Sequence, residues 1–231
     1  MLQAIGLTKK YGEYTALHGL DLTVARGEVF CLLGQNGAGK TTIINLFLGF
    51  IQATSGTARV NDVEITLNGQ KARNHLAYIP EVVMLYGNLS GLENLKYFSK
   101  LAGFSYTDSQ LRSYLLKSGL QENAHRKHLG NYSKGMRQKV GIAIALAKNA
   151  NSILMDEPTS GLDPKATAEF TSIVKQLAQE GKSILMATHD IFNAVNLGSS
   201  IGIMKEGKMI HVLHTKDITA NQLQDLYLET I

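Results

Sequence analysis

The chain has 231 residues, 44% of them hydrophobic and 18% charged, with a formal net charge of +4, which suits a globular protein of one large or two small domains. Its basic residues are scattered, without a block of like charge or interleaved aromatics, so no nucleic-acid partner is expected. No apolar run reaches the roughly 18 residues that a membrane-crossing helix needs; the longest candidate, 140–147, is bounded by Lys139 and Lys148.

The first ten residues lack a basic segment followed by an apolar core, so a secretory signal is not expected and a cytosolic location is. Residues 4–7 and 20–24 read as a strand pair. Cys31, the single cysteine, lies in the apolar run 29–33 and reads as core rather than as a reactive thiol. That strand leads into Gly34-Gln35-Asn36-Gly37-Ala38-Gly39-Lys40-Thr41-Thr42 and then a helical Ile43-Ile44. This is a phosphate-binding loop in its strand-to-helix setting. Glycines let the backbone curl, so that N–H groups and a helix N-terminus converge on an anion while Lys40 supplies positive charge. The expected ligand is a nucleoside triphosphate, with the Thr41 hydroxyl on its magnesium ion.

From about residue 85 to 150 the pattern turns helical. Ser90-Gly91-Leu92-Glu93 is a capping-box pattern, followed by Leu95, Phe98 and Leu101 on one face. Leu111, Tyr114, Leu115 and Leu120 continue the spacing. The apolar run 152–155 then ends in Asp156-Glu157. A nucleotide hydrolase needs both acids beside such a loop, Asp156 for the metal and Glu157 to polarise the attacking water as general base. Further apolar runs follow at 183–188 and 201–204, and after Gly207 residues 208–212 read as a hairpin partner on an antiparallel edge. The pattern predicts an α/β core with an inserted helical subdomain. The pairs His125/His128 and His211/His214 lack acidic or cysteine neighbours and read as solvent-facing rather than metal-binding.

Asn131-Tyr132-Ser133-Lys134-Gly135-Met136-Arg137-Gln138-Lys139 resembles the signature motif of ABC-transporter nucleotide-binding domains. Thr159-Ser160-Gly161-Leu162-Asp163 resembles that family's D-loop, and Thr188-His189-Asp190 its switch histidine. The resemblance runs from Leu2 to about Val212. It implies a P-loop NTPase core with an antiparallel β-subdomain, the core formed by about 1–84 and 151–231 and the helical signature subdomain by about 85–150, all in one nucleotide-binding domain. Its site residues are implied as well. Gly34, Asn36, Gly37, Ala38, Gly39, Lys40, Thr41 and Thr42 hold the ATP phosphates, and Tyr11 stacks on adenine. Ser133, Gly135 and Met136 face the γ-phosphate of ATP on a second subunit, and Asp163 lies at the dimer seam. Thr41, Glu81 and Asp156 serve magnesium. Glu157, His189 and Lys40 carry the chemistry, with His189 on the γ-phosphate.

Two motifs depart from the pattern: Glu81 stands where glutamine is usual, and the signature has Tyr132, Lys134 and Met136 for leucine, glycine and glutamine. This variant signature resembles ABC-2 type exporters. The implied protein is an ATPase subunit working as a homodimer on separately encoded permease subunits, at the cytoplasmic face of the membrane. Val82-Val83-Met84-Leu85-Tyr86 is apolar for a loop and is expected to meet the permease. The competing expectation is a soluble ABC ATPase acting in complex assembly.

Overall fold

The computed structural model describes the backbone of residues 1–231 and all side chains except those of 66–68. Its core is a six-stranded sheet built from β3 (Val29–Gly34), β6 (Leu76–Ile79), β7 (Ser152–Asp156), β8 (Ser183–Thr188), β9 (Ser200–Lys205) and β10 (Lys208–His214). The strand order is β10-β9-β3-β8-β7-β6. All pairs are parallel except β9 with β10, which forms the antiparallel edge. Strands covered on both faces read as continuous apolar runs, and β3 and β8 are buried at every position.

Alternation along these strands separates two cores. Phe30, Leu32, Leu154 and Leu185 face α1 (Lys40–Leu48) and a second sheet, whereas Cys31, Leu33, Ile153 and Met186 face α6 (Pro164–Gln179), α7 (Ile191–Leu197) and α8 (Ala220–Thr230). The second sheet is antiparallel, ordered β2-β1-β4-β5, from β1 (Leu2–Tyr11), β2 (Tyr14–Val24), β4 (Ser55–Val60) and β5 (Val63–Glu64). The helix α2 (Ile65–Asn74) follows it. A third core joins α3 (Gly91–Leu101), α4 (Asp108–Lys117) and α5 (Lys134–Ala147) through Leu95, Leu111, Leu115 and Val140. Each of these helices starts on a side-chain cap, with Ser90, Thr107 and Ser133 accepting from backbone N–H groups of the first turn.

Some elements differ from the sequence reading. The first two strands extend well beyond 4–7 and 20–24, and β4, β5, β6, α2 and α8 have no counterpart in it. Leu101 does not share the buried face of α3 but is 71% exposed; it is the last residue of that helix, whose buried side carries Leu92, Leu95 and Ser99. His125, read as solvent-facing, is fully buried and its Nε2 lies 3.0 Å from the Leu120 carbonyl oxygen. The short turn that carries it folds under α3, where the Leu92 N–H donates to the His125 carbonyl.

Candidate active site

The phosphate-binding loop, Glu81, the Asp156-Glu157 pair and His189 all follow the C-terminal ends of parallel strands, respectively β3, β6, β7 and β8. In an open α/β sheet this edge is where ligands bind, because the strand ends leave a crevice free of covering helices. A cavity of about 620 Å³ opens there, lined by the loop together with Tyr11, Tyr14, Glu81, Asp156 and Glu157.

The loop's shape depends on its glycines at two points. A Cβ on Gly34 would stand 2.6 Å from the Met204 carbonyl oxygen and 2.9 Å from Ala38 Cβ. Gly39 sits at φ +104°, in the left-handed region that side chains disfavour. Gly39 also begins α1 with no side-chain cap among the described residues, so the helix's first N–H groups remain available to an anion. Lys40 is 6% exposed, and its ammonium donates to the carbonyls of Gly34 at 2.5 Å and Gln35 at 3.2 Å. Burial holds its pKa below the ordinary lysine value, while the charges of Glu157 and Asp156 push it back up.

Thr41 Oγ1 donates to Asp156 Oδ2 at 3.3 Å. Burial, then the neighbouring Glu157 charge, raises the Asp156 carboxyl above the ordinary carboxylate range, against the Thr41 hydrogen bond. A hydroxyl and a carboxylate meeting beside an anion-binding loop are hard oxygen donors, the kind magnesium takes along with phosphate oxygens. Among the described residues no group of three or more His, Cys, Asp or Glu could hold a metal alone, so a cation here would share its coordination with the ligand.

Glu157 has φ +44°, uncommon for a residue with a side chain. Its N–H donates to the Ala187 carbonyl at 2.9 Å, which binds this turn to the end of β8. His189, on the next strand's turn, brings Nδ1 to 2.8 Å from Glu157 Oε2. A second cavity, about 430 Å³, holds Gly34, Glu81, Glu157, Ser160, His189 and Tyr227. Tyr227, on α8, is a residue the sequence reading missed; it belongs to none of the motifs and reaches the site only because α8 packs back on the core. Burial, then the Glu157 charge, raises its phenol's pKa, which keeps it a neutral hydroxyl.

Not every expected residue meets the loop. Among the described residues Ser133, Gly135, Met136 and Asp163 line neither cavity. Ser133 Oγ accepts from the Met136 N–H at 3.3 Å and Asp163 Oδ1 from the Ala166 N–H at 2.9 Å, so within one chain both serve as helix caps. Tyr132 is buried with its hydroxyl on the Ala124 carbonyl at 2.6 Å, a core role. Tyr11 stays half exposed at the end of β1, with the Lys9 ammonium 4.8 Å from its ring centre.

The apolar loop after Glu81 is divided. Val83 is buried, whereas Val82, Met84 and Tyr86 are exposed, Met84 by 82%. Tyr86 is anchored by its backbone, whose N–H donates to Asn94 Oδ1 at 2.9 Å, and by an edge contact with Tyr97. Among the described residues no helix is long and apolar enough to cross a membrane.

The family model described as ABC transporter matches residues 17–160. The linearmycin resistance ATP-binding protein LnrL of Bacillus subtilis (strain 168) is 34% identical over 214 residues, covering 92% of this chain and 68% of LnrL. The lantibiotic transport ATP-binding protein SrtF of Streptococcus pyogenes is likewise 34% identical, over 91% of this chain and 89% of SrtF. Among solved structures, the dimeric post-hydrolysis state of the ATP-binding cassette MJ0796 bound to ADP and Pi superposes with a TM-score of 0.80 at 26% identity, covering 93% of this chain and 99% of that one.

Proposed function

Since the chain belongs to the ABC transporter family, as an ATP-binding subunit with ATPase activity, we propose that two copies close head to tail over two ATP molecules and that the cycle drives separate permease subunits. The observation that carries the reading is the convergence of Lys40, Asp156, Glu157 and His189 on one edge of the sheet. The loop's N–H groups and Lys40 bind the outer phosphates, and Lys40 gives up its carbonyl partners to do so. Thr41 and Asp156, with Glu81 on the wall of the same cavity, would hold a magnesium ion, which would supply positive charge to the phosphate oxygens. Glu157 accepts the proton of the attacking water, and His189 orients the Glu157 carboxylate and faces the γ-phosphate. Tyr11 stacks on the adenine ring.

Each site is completed by the second copy's Ser133, Gly135 and Met136, with Asp163 at the seam. Support comes from the exposure of Ser133 and Asp163 in one chain, whereas Gly135 and Met136 are half-buried and Met136 packs on the helical core; it comes also from a similar cassette whose structure is dimeric. The domain is read as one unit, with the α/β core in about 1–84 and 151–231 and the signature subdomain in about 85–150. The exposed Val82 and Met84 meet the permease at the cytoplasmic face of the membrane. The relatives' names, linearmycin resistance and lantibiotic transport, support an ABC-2 type exporter of antimicrobial compounds.

The test is sizing of purified Glu157→Gln protein with and without magnesium-ATP, together with phosphate release by the unmodified chain. An ATP-dependent dimer and a hydrolysis rate lower by about 10²–10⁴ in the variant are expected. Turnover by Glu157→Gln at the normal rate would remove Glu157 from the base role. A variant that stays monomeric while binding ATP would remove the shared site.

A further inference from the structure

Glu81 and Lys134, the two charged departures from the family pattern, stand against each other in the fold. Lys134 Nζ lies 3.7 Å from Glu81 Oε1, and Ser160 Oγ donates to the same oxygen at 3.0 Å. The three residues come from different segments: Glu81 follows β6, Ser160 follows β7, and Lys134 opens α5. Gln138, one turn further along α5, donates to the carbonyls of Pro80 at 3.3 Å and Glu81 at 3.1 Å. The loop after β6 is thus tied to α5 by neutral hydrogen bonds, and the charge pair is an addition to that tie.

Electrostatics gives the addition a purpose. Glu81 lines both cavities beside Glu157, and its charge is felt at Asp156. Three carboxylates would then surround a polyanionic triphosphate, where an amide at position 81 would leave two. A single ammonium on Glu81 restores the balance. We propose that Lys134 is a positioning residue for Glu81: by pairing with it, Lys134 offsets the third negative charge and keeps the carboxylate from repelling ATP. Glu81 and Lys134 then act as one substitution in two parts. This rests on the nucleotide-site reading above. The Lys134 and Glu81 side chains are 33% and 51% exposed, so the pair is modest in strength and weakens with salt.

A double-mutant cycle on the full chain tests it, with Glu81→Gln, Lys134→Gln and the double variant, reading binding of a fluorescent ATP analogue together with KM and kcat at low and high salt. Lys134→Gln removes the charge while keeping a helix former at the start of α5. With Glu81 in place it is expected to weaken nucleotide affinity and raise KM by about two- to five-fold at low salt, with kcat little changed. In the Glu81→Gln background the effect falls below that range, and Lys134→Arg with Glu81 in place restores affinity. An equal effect in both backgrounds, or a loss that salt does not diminish, would overturn the pairing while leaving the nucleotide site intact. A parent chain that binds no nucleotide would instead overturn the site reading, and this role with it.

Discussion

His189 Nδ1 lies 2.8 Å from Glu157 Oε2, and the His189 backbone N–H donates to that same oxygen at 3.3 Å. One carboxylate oxygen is thereby held from the end of β8, and the other is the acceptor that the proposed mechanism needs. His189→Ala is expected to lower kcat by roughly 10²–10³, the usual loss for one positioned donor, with KM for ATP nearly unchanged. Steady-state kinetics decides it. A rise in KM with kcat retained would make His189 a binding group and not an orienting one.

The division of the loop after Glu81 gives a paired test. Val83 packs into the core against Ile79 and Ile142, so Val83→Asp buries an unpaired charge and should leave little folded protein. Met84 is 82% exposed. Met84→Asp is expected to keep the melting temperature and the ATP hydrolysis of the isolated chain, and to abolish copurification with the permease. Intact copurification would move the contact elsewhere.

Cys31 is fully buried in β3, and burial alone pushes its thiol from 9.0 up to about 12. The folded pKa is above the unfolded one, so this contribution to stability is complete below about pH 9 and is lost as pH rises toward 12. A maleimide should therefore label Cys31 only through unfolding, and ATP should slow the labelling by stabilising the folded chain. Rapid labelling of the native protein at neutral pH would contradict the burial.

The helix α8 is held by Leu223, which is fully buried, and by the Lys205 ammonium, which donates to the carbonyls of Thr230 at 2.8 Å and Ile231 at 3.2 Å. Leu223→Ala should cost about 2–5 kcal/mol, felt first as faster amide exchange in α8. Hydrolysis should fall with it, because Tyr227 leaves the wall that it shares with Glu157 and His189. Unchanged kinetics alongside a loosened α8 would make this helix a structural brace only.

What the sequence by itself determined are the features whose physics is local. A glycine loop between an apolar strand and a helix has one backbone use, and an apolar strand ending in Asp156-Glu157 brings its acids to a sheet edge wherever that sheet lies. The cap Ser90 was legible for the same reason, since it acts within four residues of itself; Ser133, read for its role at a second subunit's ATP, also caps its own helix. Only the tertiary structure decided which distant groups meet. Ser160 and Glu81 are 79 positions apart yet share a hydrogen bond, Lys134 joins them from the helical subdomain, and Tyr227 arrives from the last helix. The burial of His125 was decided in the same way, by the turn that folds under α3. Periodicity states that a side chain has a face. What covers that face depends on how the three cores pack together.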